Sequence, residues 1–181
     1  QPKIQLYVNT ANPGEVIELA KAWPSSAQDR TGYTTPNTYG PGCAGDNSLA
    51  CSWQYGWDRA LEAHIDRFSP AATSASISPL AADYIWWLDV ETMNTWQSGS
   101  EDALRKNTAA LEGMAAYFGY QNARVGLYST GPQWTEITGN YIGSDSNLVG
   151  LPNWRPSGST LNNAVANCTT ATPLTSGGTI S

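Results

Sequence analysis

Residues 84–91, YIWWLDVE, constrain this chain more than any other stretch. Five uncharged apolar or aromatic residues run without a break and end in two carboxylates, Asp89 and Glu91. An amphipathic strand alternates; a strand buried on both faces, as in a parallel sheet, does not. The run therefore predicts a buried parallel strand whose carboxyl end carries acids. Parallel strands need crossovers, usually helical, so the rest of the chain must supply alternating strands and helices.

The flanking sequence has that rhythm. Residues 4–9 (IQLYVN) predict a strand that stops at the Asn12-Pro13-Gly14 turn. Residues 15–22 predict a short helix, with acid at its start and Lys21 at its end. Residues 24–52 lack periodicity and are rich in Gly, Pro, Ser, Thr and Asn, as a long functional or disordered loop would be. Residues 55–68 place Trp57, Leu61, His64, Ile65 and Phe68 on one helical face. A polar connection is expected over 70–80. Ser98 and Glu101 have the spacing of a capping box. The following helix would turn Leu104, Thr108, Leu111, Ala115 and Phe118 inward. Further strands are predicted at 124–130, at 148–154 with Pro152 ending it, and from Gly177 onward; a short helix is predicted over 131–138, and 161–168 gives a weaker signal. The expected fold class is α/β, one domain over 1–181 with parallel strands and right-handed crossovers. A chain of 181 residues buries roughly 70% of its unfolded surface and needs no metal or disulfide to form a core.

Composition excludes several classes. The net charge of -6 and three scattered lysines argue against nucleic acid, whose non-specific capture rests on clustered Lys and Arg. The run Tyr84–Leu88 is far too short to span a membrane. GxGxxG and GxxxxGK[ST] are both missing, which disfavours nucleotide chemistry. With one histidine and no CxxC, a structural zinc site is not expected, and acid/base chemistry by a carboxylate pair would need no metal or cofactor. Charged residues are only 13% of the chain, about half the usual ~25%. Asn, Ser, Thr and Gly carry the polarity, beside 8 Trp and 9 Tyr. That mixture suits an exported protein handling uncharged polar ligands such as sugars. No signal peptide is visible, so an export signal would already be gone. Cys43 and Cys51, eight apart in a Gly- and Pro-rich loop, form a disulfide in an exported protein or stay reduced otherwise. Cys168 would be a free thiol or pair outside the chain.

The chemistry gathers at strand ends. Asp89 and Glu91 stand two apart, so on an extended strand both point to one face, about 6–7 Å apart at Cα. Beside Trp86 and Trp87 their pKa values can separate, giving a general acid and a charged partner, the minimal machinery for glycoside hydrolysis. The alternative is an ion pair with Arg124 or Arg155, or a helix cap. Asn9, Tyr128 and Trp154 end neighbouring strands and would share the rim as sugar-binding groups; each also has an ordinary structural reading. His64, on an apolar helix face, reads as a packing residue, and no GxSxG elbow supports a serine nucleophile. Asp58, Asp66 and Asp83 read as solvated charges. Trp23, Trp53, Trp57, Trp96 and Trp134 read as core or loop anchors, Trp96 and Trp134 also as a partial stacking platform.

The segments YIWWLDVETMNTW, NTAALEGMAAYFGYQNARVGLYSTGPQWTEITG and LPNWRPSG, in that order, resemble the family 25 glycoside hydrolases, the lysozyme-like muramidases, and their secreted actinobacterial relatives. LYVNTANPG upstream and TSGGTIS downstream extend the resemblance to roughly residues 4–180. It implies an irregular (β/α) TIM-like barrel with its site at the strand carboxyl ends, secreted or at the cell surface. It implies hydrolysis of peptidoglycan after N-acetylmuramic acid. Glu91 would be the general acid, Asp89 the second carboxylate stabilising an oxazolinium-like or oxocarbenium-like state, and Tyr128 and Trp154 would line the subsites. The chain also departs from the family. The opening strand with its aspartate has no counterpart, and about six strand candidates stand where a complete barrel has eight. An incomplete barrel is therefore expected: part of a longer protein, one of several chains completing the barrel, or a reduced variant. The last would suit a non-catalytic glycan-binding or structural domain.

Overall fold

The computed structural model describes residues 4–180 other than Lys21, Pro41 and Ser157. Its frame is a five-stranded, wholly parallel sheet: β1 (Gln5–Asn9), β2 (Ile85–Asp89), β3 (Arg124–Tyr128), β4 (Pro152–Trp154) and β5 (Thr179–Ile180). Spatial order follows chain order, β1-β2-β3-β4-β5. A doubly wound sheet reverses its order at a switch point; this sheet does not. β1 and β5 are its two edges, so the described strands make an open wall, not a closed barrel.

Helices cover one face. Alternation sends Trp86, Leu88, Val125 and Leu127 into the core, with Leu6 and Val8 half-buried beside them. Against them pack α1 (Leu49–Leu61) and α3 (Glu101–Tyr120). These two helices cross in backbone contact. A Cβ on Gly56 would lie 1.9 Å from the Ala110 carbonyl oxygen, and one on Gly113 equally close to that of Trp53. Around the crossing sit Trp53 and Trp57, stacked at 5.5 Å, and Tyr117 edge-on to Trp57. Trp86 of β2 stacks on Phe118 at 4.5 Å. His64 is buried here, with Nδ1 2.9 Å from the Tyr117 hydroxyl and Nε2 3.2 Å from the Pro79 carbonyl. Burial holds its pKa below the ordinary value, against the pull of the Pro79 carbonyl, so it packs as a neutral ring.

Several elements differ from expectation for identifiable reasons. The helix expected at 55–68 starts earlier, where Ser48 accepts from the Cys51 N–H, and continues through a π-helical stretch, Glu62–Phe68, into α2 (Ser69–Ser74). The Ser69 N–H reaches back five residues to His64, which brings Pro70 into the rod just after the widened turn. The wider turn also rotates Ile65 out to solvent. Residues 15–22 form no full helix, only a 3-10 turn at Gly14–Val16 followed by further turns. Leu19 is exposed, so no apolar face offsets nucleation, and Lys21 lies outside the described residues. The cap of α3 is Ser100, not Ser98. Gly99 turns the chain at φ +81°, Ser100 accepts from the Ala103 N–H, and the Ser98 N–H instead donates to the Glu15 carboxylate. Pro152 opens β4 rather than ending it, a position where its missing N–H costs nothing. The short helix expected over 131–138 is α4 (Gly131–Thr138), and residues 161–168 lie in an exposed helix, α5 (Leu161–Thr170), which carries the free Cys168.

The long loop is ordered. Cys43 and Cys51 are disulfide-bonded. Asp29 accepts from the Thr31 N–H and hydroxyl, the Tyr33 N–H and the Trp57 indole. Burial pushes its carboxyl up, but these hydrogen bonds more than reverse that, leaving it below the usual range. Thr35 donates to Gln54, which donates to Asp58. Asp58 is thus not a solvated charge: desolvation lifts it to about 6. Asp66 is exposed and pairs with Arg30, and Asp83 is exposed.

Candidate functional site

The uncovered face of the sheet holds the chemistry. In the parallel register Asn9 stands beside Asp89, Asp89 beside Tyr128, and Tyr128 beside Trp154. Each ends its strand, so an amide, a carboxylate, a phenol and an indole form one row across four strands. With strands about 4.8 Å apart, the row spans roughly 14 Å. The row below it on this face is Tyr7, Trp87 and Gly126. A Cβ on Gly126 would stand 2.3 Å from the Trp87 ring, so its absence lets that indole lie across β3. Trp87 donates to Gln5 and meets Trp154 edge-on at 5.7 Å; Trp154 meets Tyr128 at 5.3 Å. The parity that puts Trp87 beneath Asp89 sends Trp86 into the opposite core. Only one of the two tryptophans expected beside the carboxylates is there.

β2 ends at Asp89, so Glu91 stands just past the strand. The Val90 N–H still reaches the Tyr128 carbonyl, carrying the pairing one residue further. The buried Ser129 hydroxyl donates to the Val90 carbonyl, the Thr10 hydroxyl to that of Asp89, and the Trp96 indole to that of Glu91 at 2.8 Å. These braces, which strand-end reasoning missed, fix the backbone under both acids. Trp96 is thereby an anchor and Trp134 is buried, so the two make no stacking platform.

Among the described residues neither carboxylate side chain is hydrogen-bonded or ion-paired. Arg155 donates to the Thr172 carbonyl, and Arg124 starts β3 at the far end of the sheet, beside Ile85. The expected alternative, an ion pair with either arginine, is not formed. Desolvation, and secondarily the charge of Glu91, push Asp89 up to about 6. Burial and both acids push the Tyr128 hydroxyl up as well, which keeps it a donor. Two half-buried, unpaired carboxylates close enough to repel suit acid/base work. Below the row, a hollow of about 640 Å³ lies along the same face, walled by Tyr7, Trp87, Arg124 and Trp154. No described group of His, Cys, Asp and Glu has the makings of a metal site.

Over 57 residues the chain is 37% identical to a protein of Dictyostelium discoideum described as "Probable GH family 25 lysozyme 2". The matched stretch is 32% of this chain and 24% of that protein, so the chain spans about a quarter of the relative's length. No family model matches the chain, and no solved structure matches it. The similarity supports a relationship to the family 25 glycoside hydrolases over that stretch. A disulfide, and no described helix long and apolar enough to cross a membrane, are consistent with secretion.

Proposed function

We propose that the chain is a glycoside hydrolase-like domain, spanning 1–181, which hydrolyses a cell-wall polysaccharide, peptidoglycan first among them, at the cell surface or outside the cell. Its frame is an incomplete (β/α) TIM-like barrel. Glu91 protonates the leaving oxygen; Asp89, ionised, stabilises the positive charge that develops on the sugar; Asn9, Tyr128 and Trp154 hold the saccharide. Hydrolysis by two carboxylates calls for no metal or cofactor. The observation that carries this reading is a carboxylate free of ion pairs, Asp89, in register with an amide, a phenol and a half-exposed indole.

Desolvation, which lifts Asp89 to about 6, favours a variant of the mechanism in which Asp89 holds the proton and Glu91 the charge. The pH profile separates the two. If Asp89 must be ionised, activity rises with pH through about 6 and that limb vanishes in Asp89→Asn. If Asp89 is the acid, activity falls through that pH instead. The direct test is release of reducing ends from purified peptidoglycan.

A second reading, a non-catalytic glycan-binding or assembly domain, is favoured by the open sheet. β1 is an unpaired edge and Tyr7 on the uncovered face is 69% exposed, as expected of a wall that other chains complete. Peptidoglycan retained by the protein without release of reducing ends supports this reading over the first.

A further inference from the structure

On the opposite side of the molecule, away from the carboxylate row, the outer surface of α3 holds a second pocket of about 330 Å³. Its floor is Glu112, only 7% exposed. Tyr39 donates to one carboxylate oxygen at 2.6 Å and Ser146 to the other at 2.5 Å. Both donors are neutral hydroxyls, brought in by two separate loops. Burial and the adjacent Glu112 push the Tyr39 hydroxyl well above its ordinary value, so it stays a donor.

Glu112 is in none of the described ion pairs. No described Lys or Arg pairs with it: Arg105, at the same pocket, is bound to Glu101 and stacked 4.6 Å over Tyr141, and Lys106 is bound to Asp102. A buried anion satisfied only by neutral donors lacks the counter-charge that buried ions usually have. The rest of the pocket suits an organic cation. Asp145 adds a second acid at the rim, and Tyr39 and Trp53 supply aromatic wall, while the Arg105 guanidinium is held away on Tyr141 and Glu101. Glu112 and Asp145 are the acids of its lining, and no described group of three or more His, Cys, Asp and Glu stands there to hold a metal ion. The volume lies at the small end of ligand pockets.

We propose that this pocket binds a primary ammonium group on a short aliphatic stem, such as a lysine or other diamino-acid side chain, with Glu112 as its counter-ion and the Tyr39 and Trp53 rings beside the stem. It does not depend on what the carboxylate row does.

The test is an NMR titration of the labelled protein with Nα-acetyllysine methylamide and with its Nε-acetylated counterpart, which has no charge. The amine should shift the amides of Tyr39, Ser146 and Asn147 saturably and bind at least about tenfold more tightly than the neutral probe. Glu112→Gln should erase that preference. Asp145→Asn, at an exposed position that cannot compromise folding, should reduce it by a smaller factor. Equal binding of the two probes, no shift with the amine, or calcium alone producing the same shifts at lower concentration would each overturn the proposal.

Discussion

The two faces of the sheet are made by alternate residues of the same strands, yet they are built to different rules. On one face Trp86, Leu88, Val125 and Leu127 are sealed under α1 and α3. On the other Asn9, Asp89, Tyr128 and Trp154 stand in a row, with Glu91 just past it and neither acid in a described ion pair. Leu88 and Asp89 are neighbours in the chain and opposites in environment. Burial stabilises the first and strains the second. The contrast shows that, within this sheet, the cost of a desolvated carboxylate falls on the face that carries the chemistry.

Leu88→Ala should show the largest structural effect, a loss of about 2–5 kcal/mol in chemical denaturation, because a fully buried Leu leaves a cavity no neighbour can fill. Gly113→Ala should follow at about 1–3 kcal/mol, since the added methyl meets the Trp53 carbonyl where the helices touch. If it is neutral, the helices slide more freely than their contact implies.

Asp89→Asn should have the opposite sign. A carboxyl lifted from 3.8 to about 6 binds its proton more tightly when folded. It therefore costs no stability below about pH 4, and an increasing amount as pH rises from there through about 6. Removing it should stabilise the protein at neutral pH by about 1 kcal/mol, a figure discounted for partial exposure, and by nothing at acid pH. Denaturation curves at both pH values check it. Destabilisation at neutral pH would place Asp89 in the same class as its covered neighbour. Trp154→Ala should change stability least, by about 1 kcal/mol or less, because the residue is 44% exposed. Its larger effect should be weaker saccharide binding, read by glycan pull-down.

How far the sequence reveals this division follows from what each feature needs. The adjacency of Asn9, Asp89, Tyr128 and Trp154 is legible because each ends an apolar run, and parallel strands in chain order align their ends. Strand parity would also have separated Trp86 from Trp87. Other features needed the fold. A π-helical stretch at Glu62–Phe68 breaks the period that places Ile65 inward, and the left-handed turn at Gly99 moves the cap to Ser100. Glu112 looks like any helix acid until the loops bearing Tyr39 and Ser146 arrive to bury it. Braces such as Trp96 to Glu91 have no periodicity at all.

The most direct test of the account compares wild type with Glu91→Gln in two assays on the same preparations: thermal unfolding, and release of reducing ends from purified peptidoglycan. The account predicts unfolding midpoints that agree, since Glu91 is in none of the described ion pairs, and a loss of release by about 10²–10⁴-fold. A folded Glu91→Gln protein that releases reducing ends at the wild-type rate would contradict it.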